Sequence, residues 1–242
     1  MAVVLFGAFS QGGGNPRISQ PQSTGVPPQA PRPAACAYLN HRPNHPPRNH
    51  PHFSKPKTPV KNHIERVLFD EQEILKGIDR VAAEVTASYG STEFTVVSIL
   101  KGSCVFASDL IRRIPVPLEL AFVAASSYGD GTTSGRLKLN FLPAEHEIQG
   151  RNLLLVDDIL DTGRTMHAIK QELLKKGAAD VQTCVFLDKP SRRAVEFESD
   201  YRVFEVENLF VVGYGLDFAG RYRNLPYVGA LREEIYAQAL AN

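Results

Sequence analysis

The sequence predicts an α/β fold in which a mostly parallel, twisted sheet is flanked by helices. Two observations support this fold class. Short apolar segments rich in β-branched residues alternate along the chain with helical segments, an order typical of parallel sheets covered on both faces. Several of the apolar segments also lack a polar face, as expected for strands that are buried on both sides.

The first element is a helix at residues 70–88, where apolar residues recur three and four positions apart. Asp70 and Glu73 form a capping pair at its start, and Gly90 follows its end. A second helix is predicted at residues 165–176, closed by Gly177. Strands are predicted at residues 95–100, 118–126, 136–141, 152–156, 181–187 and 209–216.

The charged residues divide the chain into two parts. The whole chain has 27 basic and 26 acidic residues, but residues 1–63 contain seven basic residues and no acidic one, together with 12 of the 17 prolines. The remaining 179 residues carry 20 basic and 26 acidic residues, a net charge of −6. We therefore predict a low-complexity, disordered basic tail at 1–63 and one folded domain at 64–242.

Composition also bears on location. The longest apolar run, residues 2–9, is much shorter than the roughly 20 residues that span a bilayer, so no membrane partner is expected. Cys36, Cys104 and Cys184 lie far apart in sequence, which favours reduced thiols in a cytoplasmic protein. The alternative is that the acid-free tail targets the chain to an organelle.

Residues 152–165 contain the strongest chemical signal. A buried strand leads directly into Asp157 and Asp158, whose ionised carboxylates can accept hydrogen bonds from the vicinal hydroxyls of a ribose. The next helix begins nearby, and its free backbone N–H groups, a glycine and two hydroxyls suit a phosphate; these residues are Thr162, Gly163, Arg164 and Thr165. The simpler alternative is a helix cap with two solvated turn residues.

Two further loops have a composition suited to binding. Residues 100–103 follow a strand and precede a helix, which predicts a second anion site, with an ordinary turn as the alternative. Residues 126–135 are polar and rich in glycine and contain one bulky aromatic residue, Tyr128. Loops of this kind are typical of lids that close over a site, and the alternative is a flexible hairpin.

The segment VDDILDTGRT, residues 156–165, resembles the signature of the type I phosphoribosyltransferases, and the other loops resemble those of the 6-oxopurine (hypoxanthine) branch. The resemblance covers about residues 64–235. It implies the type I phosphoribosyltransferase fold with a small hood, and transfer of the 5-phosphoribosyl group from phosphoribosyl diphosphate to a purine nitrogen, with Mg2+ as cofactor. Some family members have Glu in place of Asp157 and Lys in place of Arg164.

The resemblance also implies roles for the loops around the sugar. Asp157 and Asp158 would hold the ribose hydroxyls and contribute, with Asp217, to a metal site. Residues 162–165 would hold the 5-phosphate, and Asp161 would be the general base for the N7 proton of the purine. Lys101 and Gly102 would bind diphosphate, and the peptide bond between them is often cis in the family. Ser127 and Tyr128 would close over the sugar.

For the base, the resemblance implies that Lys189 donates to the purine O6, that Phe210 stacks on the ring and that Val211 offers backbone groups. Arg223 would meet diphosphate. A donor at Lys189 favours hypoxanthine or guanine over adenine, which presents an amino group there. The residues alone favour the alternatives, in which Lys189 is an exposed loop lysine and Phe210 is a core aromatic.

The sequence leaves two alternative functions open. One is a regulator of the same fold that binds nucleotides and RNA; Asp161, Phe210 and the domain charge of −6 oppose it, so nucleic acid is not an expected partner. The other is a phosphoribosyltransferase for another base such as xanthine. We expect phosphoribosyl diphosphate and a 6-oxopurine as partners, and a homodimer or homotetramer as the assembly.

Overall fold

The computed structural model describes residues 60–127 and 137–240. Within these residues the strands are β1 (Ile64–Phe69), β2 (Phe94–Leu100), β3 (Glu119–Ser127), β4 (Leu137–Phe141), β5 (Asn152–Leu160), β6 (Asp180–Asp188), β7 (Tyr201–Glu205), β8 (Val211–Val212) and β9 (Val228–Leu231). The helices are α1 (Glu71–Tyr89), α2 (Cys104–Ile111), α3 (Glu145–Ile148), α4 (Arg164–Lys175) and α5 (Glu233–Leu240). Short 3-10 helices lie at Val60–His63 and Pro190–Arg192.

The predicted α/β fold with a mostly parallel sheet is confirmed. The large sheet has the strand order β4-β3-β2-β5-β6-β7, and all neighbouring pairs are parallel except the edge pair β3–β4. β5 shows why its residues lack a polar face. Leu154 and Val156 pack with α1 and α2, whereas Leu153 and Leu155 pack with α4, so alternate side chains fill the cores on opposite faces of the sheet.

The predicted helices form close to their expected bounds. Asp70 accepts a hydrogen bond from the backbone of Glu73 (2.9 Å), while the Glu73 side chain accepts one from the backbone of Asp70 (2.9 Å), so the capping box of α1 is confirmed. α4 begins at Arg164, directly after Gly163, whose φ of +79° lies in the left-handed region. No helix in the described part of the chain is long and apolar enough to cross a membrane.

A second, smaller sheet forms the hood predicted from the resemblance, with β1, β9 and β8 paired in an antiparallel order. The prediction of one continuous strand at residues 209–216 is wrong. Only Val211–Val212 is extended with a strand partner, because Gly213, Tyr214 and Gly215 all have positive φ values of +98°, +49° and +99°. The chain therefore turns back at this point, and the Gly213 N–H donates to the Leu216 carbonyl (3.1 Å).

β5 is longer than the predicted residues 152–156. The strand continues through both aspartates because Ile159 and Leu160 still pair with β6, opposite Leu187 and Asp188. Asp157 and Asp158 are therefore fixed in the carboxyl-terminal part of a central parallel strand. This is the edge of an open α/β sheet at which ligands bind.

Candidate active site

The acidic pair meets the Lys101 loop at Gly102. A Cβ built on Gly102 would overlap Oδ2 of Asp158 and lie 3.1 Å from its Oδ1. Only a glycine leaves room for the carboxylate here, because any side chain at residue 102 would displace it. This packing brings together two loops that the sequence predicted separately as a ribose site and an anion site.

Burial and mutual repulsion govern the protonation of the two aspartates. The pKa of Asp157 is raised well above its usual range, first by burial and then by the adjacent Asp158 carboxylate. Burial also raises the pKa of Asp158, although its hydrogen bond with Asp157 and the nearby Arg223 guanidinium act in the opposite direction. The Asp158 N–H donates to Oδ1 of Asp157 (2.9 Å). The charged forms of the two carboxylates are thus unfavourable, and hydrogen bonds from a polyol or a nearby cation would stabilise them.

The Lys101 loop is held from below by buried hydroxyls. Ser98 and Ser103 hydrogen-bond to each other (2.7 Å), and the Ser103 hydroxyl donates to the Ile99 carbonyl (2.5 Å). The implied cis bond between Lys101 and Gly102 is wrong, since the cis peptide is the preceding one, Leu100–Lys101. Lys101 itself is exposed, which leaves its side chain accessible to a ligand.

The turn after β8 packs on the same loop. A Cβ at Gly215 would overlap the Gly102 carbonyl oxygen, so the two backbones are in direct contact. Arg223 joins this turn to Asp217, because one guanidinium nitrogen donates to the Gly215 carbonyl (2.5 Å) and the other pairs with Oδ1 of Asp217 (2.6 Å). Oδ2 of Asp217 accepts from the Gly220 N–H (2.8 Å). Asp217, Arg223, Asp158 and the Lys101 loop therefore adjoin one another.

Asp161 lies just beyond β5, at the entry to the predicted phosphate loop. Its carboxylate pairs with the Arg192 guanidinium (3.2 Å), and both side chains are about half exposed. Asp161 is thus accessible to a ligand while its orientation is fixed by a partner. Residues 162–165 carry the turn into α4, where the left-handed Gly163 precedes Arg164 and Thr165 at the start of the helix.

Arg193 fixes this loop from behind, and the sequence analysis missed it. Its guanidinium donates to the carbonyls of Leu160 (3.0 Å) and Asp161 (2.6 Å) and forms a buried ion pair with Asp188. A Cβ at Gly163 would lie 3.0 Å from the Arg193 Cδ, so this glycine allows the arginine to approach. The only sequence signal was a pair of arginines shortly after Lys189, which is also typical of an exposed loop.

Lys189 is buried, with 8% of its surface exposed, so its interpretation as an exposed loop lysine is wrong. Nζ donates to the Leu209 carbonyl (2.6 Å), the residue before Phe210. Burial lowers the pKa of Lys189, Arg192 lowers it further and Asp161 opposes the shift. The lysine therefore lies between the Asp161 loop and the Phe210 segment, and its ammonium group is directed at the Leu209 carbonyl.

Phe210 is part of an aromatic cluster. Its ring stacks on Tyr236 of α5 (centroids 5.0 Å apart, 17° between planes) and meets Phe218 edge-on at 5.2 Å. Val211 follows in β8, where it pairs with Ala230 and is buried. Ser127 ends β3, but its side chain and the whole of Tyr128 lie outside the described residues, as does the predicted lid.

Comparison with known proteins agrees with this arrangement. A family model described as a phosphoribosyl transferase domain matches residues 67–219. The hypoxanthine-guanine phosphoribosyltransferase of Streptococcus pneumoniae (strain ATCC BAA-255 / R6) is 40% identical over 178 residues, which cover 74% of this chain and 99% of that protein. A solved hypoxanthine phosphoribosyltransferase from Staphylococcus aureus superposes with a TM-score of 0.70 at 36% identity, over 74% of this chain and 98% of the other.

One relative is much longer than this chain. The bifunctional protein TilS/HprT of Listeria monocytogenes serotype 4b (strain F2365) is 43% identical over 180 residues, which cover 74% of this chain but 28% of that protein. The chain thus spans little more than a quarter of the length of that relative.

Proposed function

This chain belongs to the phosphoribosyltransferase family, and from that premise we propose that it is a purine-salvage enzyme. It transfers the 5-phosphoribosyl group from phosphoribosyl diphosphate to hypoxanthine, and also to guanine, forming IMP or GMP and diphosphate. The observation that supports this most directly is the packing of Asp158 on Gly102. The carboxylates, which suit a ribose, lie beside a loop that suits diphosphate, and the proposed phosphate loop, residues 162–165, follows directly after the same strand and leads into α4.

In the reaction, a purine ring nitrogen forms a bond to the sugar carbon C1 while the bond from C1 to the diphosphate oxygen breaks. Charge builds up on the leaving diphosphate, and Lys101 and Arg223 are the cations positioned to stabilise it. Asp161 accepts the proton that the purine loses at N7. Its ion pair with Arg192 keeps the carboxylate oriented before the base arrives.

The choice of base follows from Lys189. A 6-oxo group can accept a hydrogen bond from Nζ in the place now taken by the Leu209 carbonyl, whereas the 6-amino group of adenine would face a second donor. An unmatched donor in a closed site costs about 1 to 3 kcal/mol, or roughly ten- to a hundred-fold in rate. Phe210, backed by Tyr236, offers the aromatic surface on which the ring stacks.

Mg2+ is the cofactor that we propose for this reaction. The described residues contain no group of three or more metal-binding side chains, so the protein alone offers no complete cage. The carboxylates of Asp157, Asp158 and Asp217 are nevertheless the hard oxygen donors that Mg2+ prefers, and Mg2+ commonly completes its shell with substrate phosphates and water. When bound, the ion would neutralise part of the diphosphate charge.

We also propose that the enzyme acts in the cytoplasm as a homodimer or homotetramer. Two exposed apolar side chains near the β4 edge of the large sheet, Leu120 (39% exposed) and Phe141 (56%), support association between copies. Sedimentation of the full chain at micromolar concentration tests the assembly. A single monomeric species would contradict it.

A competition assay tests the choice of base. The full chain is given phosphoribosyl diphosphate, Mg2+ and equal concentrations of hypoxanthine, guanine, xanthine and adenine, and the nucleotides formed are separated and counted. We expect IMP and GMP to dominate and AMP to form at least about tenfold more slowly. Xanthosine or adenosine monophosphate as the main product would contradict the proposal.

A further inference from the structure

A tyrosine outside the predicted site connects two of its loops. Tyr214 lies between Gly213 and Gly215, in the turn that packs on Gly102. Its φ of +49° is in the left-handed region, which residues other than glycine seldom adopt. The turn is therefore held in an uncommon conformation by its surroundings, and the side chain of Tyr214 is buried in the protein core.

The hydroxyl of Tyr214 donates a hydrogen bond to Oδ2 of Asp109. Asp109 lies on α2, the helix that begins directly after the Lys101 loop. The ring is 5% exposed and packs against Phe186 at a centroid distance of 4.9 Å, so water does not compete effectively for this bond. Asp109 is held in turn by Arg112 and Arg113.

Among the described residues, the backbone N–H groups of Tyr214 and Gly215 donate to carbonyls a few residues further along the same segment. Tyr214 N–H donates to the Leu225 carbonyl (2.9 Å), and Gly215 N–H donates to the Arg223 carbonyl (3.0 Å). Arg223 contacts both Gly215 and Asp217, so the position of the turn also determines the position of Asp217. The hydrogen bond from the Tyr214 hydroxyl thus fixes this segment to α2, the helix that follows the Lys101 loop.

We propose that Tyr214 and Asp109 are a positioning pair that sets the segment carrying Asp217 and Arg223 against the Lys101 loop, and so determines affinity for diphosphate. The inference rests on the proposed function, which assigns diphosphate to these loops. Neither residue touches substrate in this proposal. Both act through the distance between the cations of the two loops, and the purine end of the site is left unaffected.

The test is calorimetric titration of inorganic diphosphate with Mg2+ into the full-length wild type and Tyr214→Phe. Without the hydroxyl, the segment that carries Arg223 and Asp217 is no longer fixed to α2, so we expect diphosphate to bind roughly ten-fold more weakly or worse. In the transferase assay KM for phosphoribosyl diphosphate should rise similarly, with KM for hypoxanthine changed less than about twofold. An unchanged diphosphate affinity overturns the proposal.

Tyr89→Phe is the matched control, because the Tyr89 hydroxyl also makes a buried hydrogen bond, to the Leu153 carbonyl (3.0 Å), without touching either loop. It should lose stability but keep its diphosphate affinity. A similar loss of affinity in Tyr89→Phe would mean that general destabilisation explains the effect, and would overturn the proposal.

Asp109→Asn keeps the test independent of folding, since the amide oxygen can still accept from Tyr214 and should preserve most of the affinity. Asp109→Ala removes the acceptor and should weaken diphosphate binding as Tyr214→Phe does. The double variant Tyr214→Phe/Asp109→Ala should bind diphosphate no more weakly than the weaker-binding of these two single variants. Additive losses of affinity would contradict a pair that acts together. A wild type that forms IMP but does not bind diphosphate overturns this proposal alone. A wild type that binds diphosphate but forms no nucleotide overturns the proposed function alone.

Discussion

Gly102 and the carboxylate of Asp158 pack so closely that no side chain fits between them. Gly102→Ala should therefore displace the Asp158 carboxylate. We expect kcat/KM for phosphoribosyl diphosphate to fall by about a hundred-fold or more, since small displacements of positioning groups have effects of this size. Steady-state kinetics with saturating base measures the change.

Gly150→Ala is the control for that substitution. Gly150 has a φ of +70°, and no heavy atom lies within 4 Å of the position that an alanine Cβ would take. The variant should lose about 1 kcal/mol of stability from backbone strain and keep its activity. If Gly102→Ala were as active as Gly150→Ala, the close packing of Asp158 would have no catalytic consequence.

Asp161→Asn should lower turnover by roughly 10²- to 10⁴-fold with little change in KM, because the amide keeps the shape of the side chain but cannot accept the N7 proton. Asp180→Asn, at the exposed amino end of β6, serves as the control and should behave like the wild type. Unchanged turnover in Asp161→Asn would remove Asp161 from the role of general base.

Lys189→Met should reduce kcat/KM for hypoxanthine by about ten- to a hundred-fold, because the purine O6 loses its donor in a closed site. KM for phosphoribosyl diphosphate should stay within about twofold, as the sugar end of the site is unaffected. Lys176→Met removes an exposed lysine at the end of α4 and controls for the change of charge. Equal losses in the two variants would contradict the assignment of Lys189 to the base.

Asp157→Asn should stabilise the ligand-free protein at pH 8. The folded-state pKa of Asp157 is raised above its ordinary value near 4, so the folded protein binds a proton more tightly than the unfolded chain does. The contribution of Asp157 to stability is therefore present below pH 4 and is lost as the pH rises through the folded-state pKa. Asn keeps the acceptor for the Asp158 N–H without the charge.

Urea unfolding at pH 5 and pH 8 measures this difference. The advantage of Asp157→Asn over the wild type should grow with pH to about 1 kcal/mol or more at pH 8, while its activity falls. An advantage that did not change with pH would show that the buried charge of Asp157, next to Asp158, is not its source.

The features that the sequence predicted correctly depend mostly on residues that lie close together in the chain. The capping box of α1 depends on Asp70 and Glu73, three residues apart. The position of Asp157 and Asp158 on a strand that leads through a glycine turn into α4 depends on one short stretch of sequence. Such features follow from short-range hydrogen bonding and from the periodicity of apolar residues.

The errors concern contacts between distant residues. The ammonium group of the buried Lys189 has the Leu209 carbonyl as its partner. The predicted strand at residues 209–216 ends after Val212, where the chain turns with positive φ values and Gly215 packs on Gly102. The ion pair of Arg193 with Asp188 depends in the same way on how two loops meet. None of these contacts has a periodic signal in the sequence, so they became apparent only in the folded structure.

The transferase activity is measured most directly as the rate of IMP formation by the full chain from hypoxanthine and phosphoribosyl diphosphate with Mg2+, compared with Asp161→Asn under the same conditions. We predict that the wild type releases one diphosphate for each IMP formed and that the variant is at least about a hundred-fold slower. If the folded wild-type protein formed no IMP, the proposed phosphoribosyltransferase activity would be contradicted.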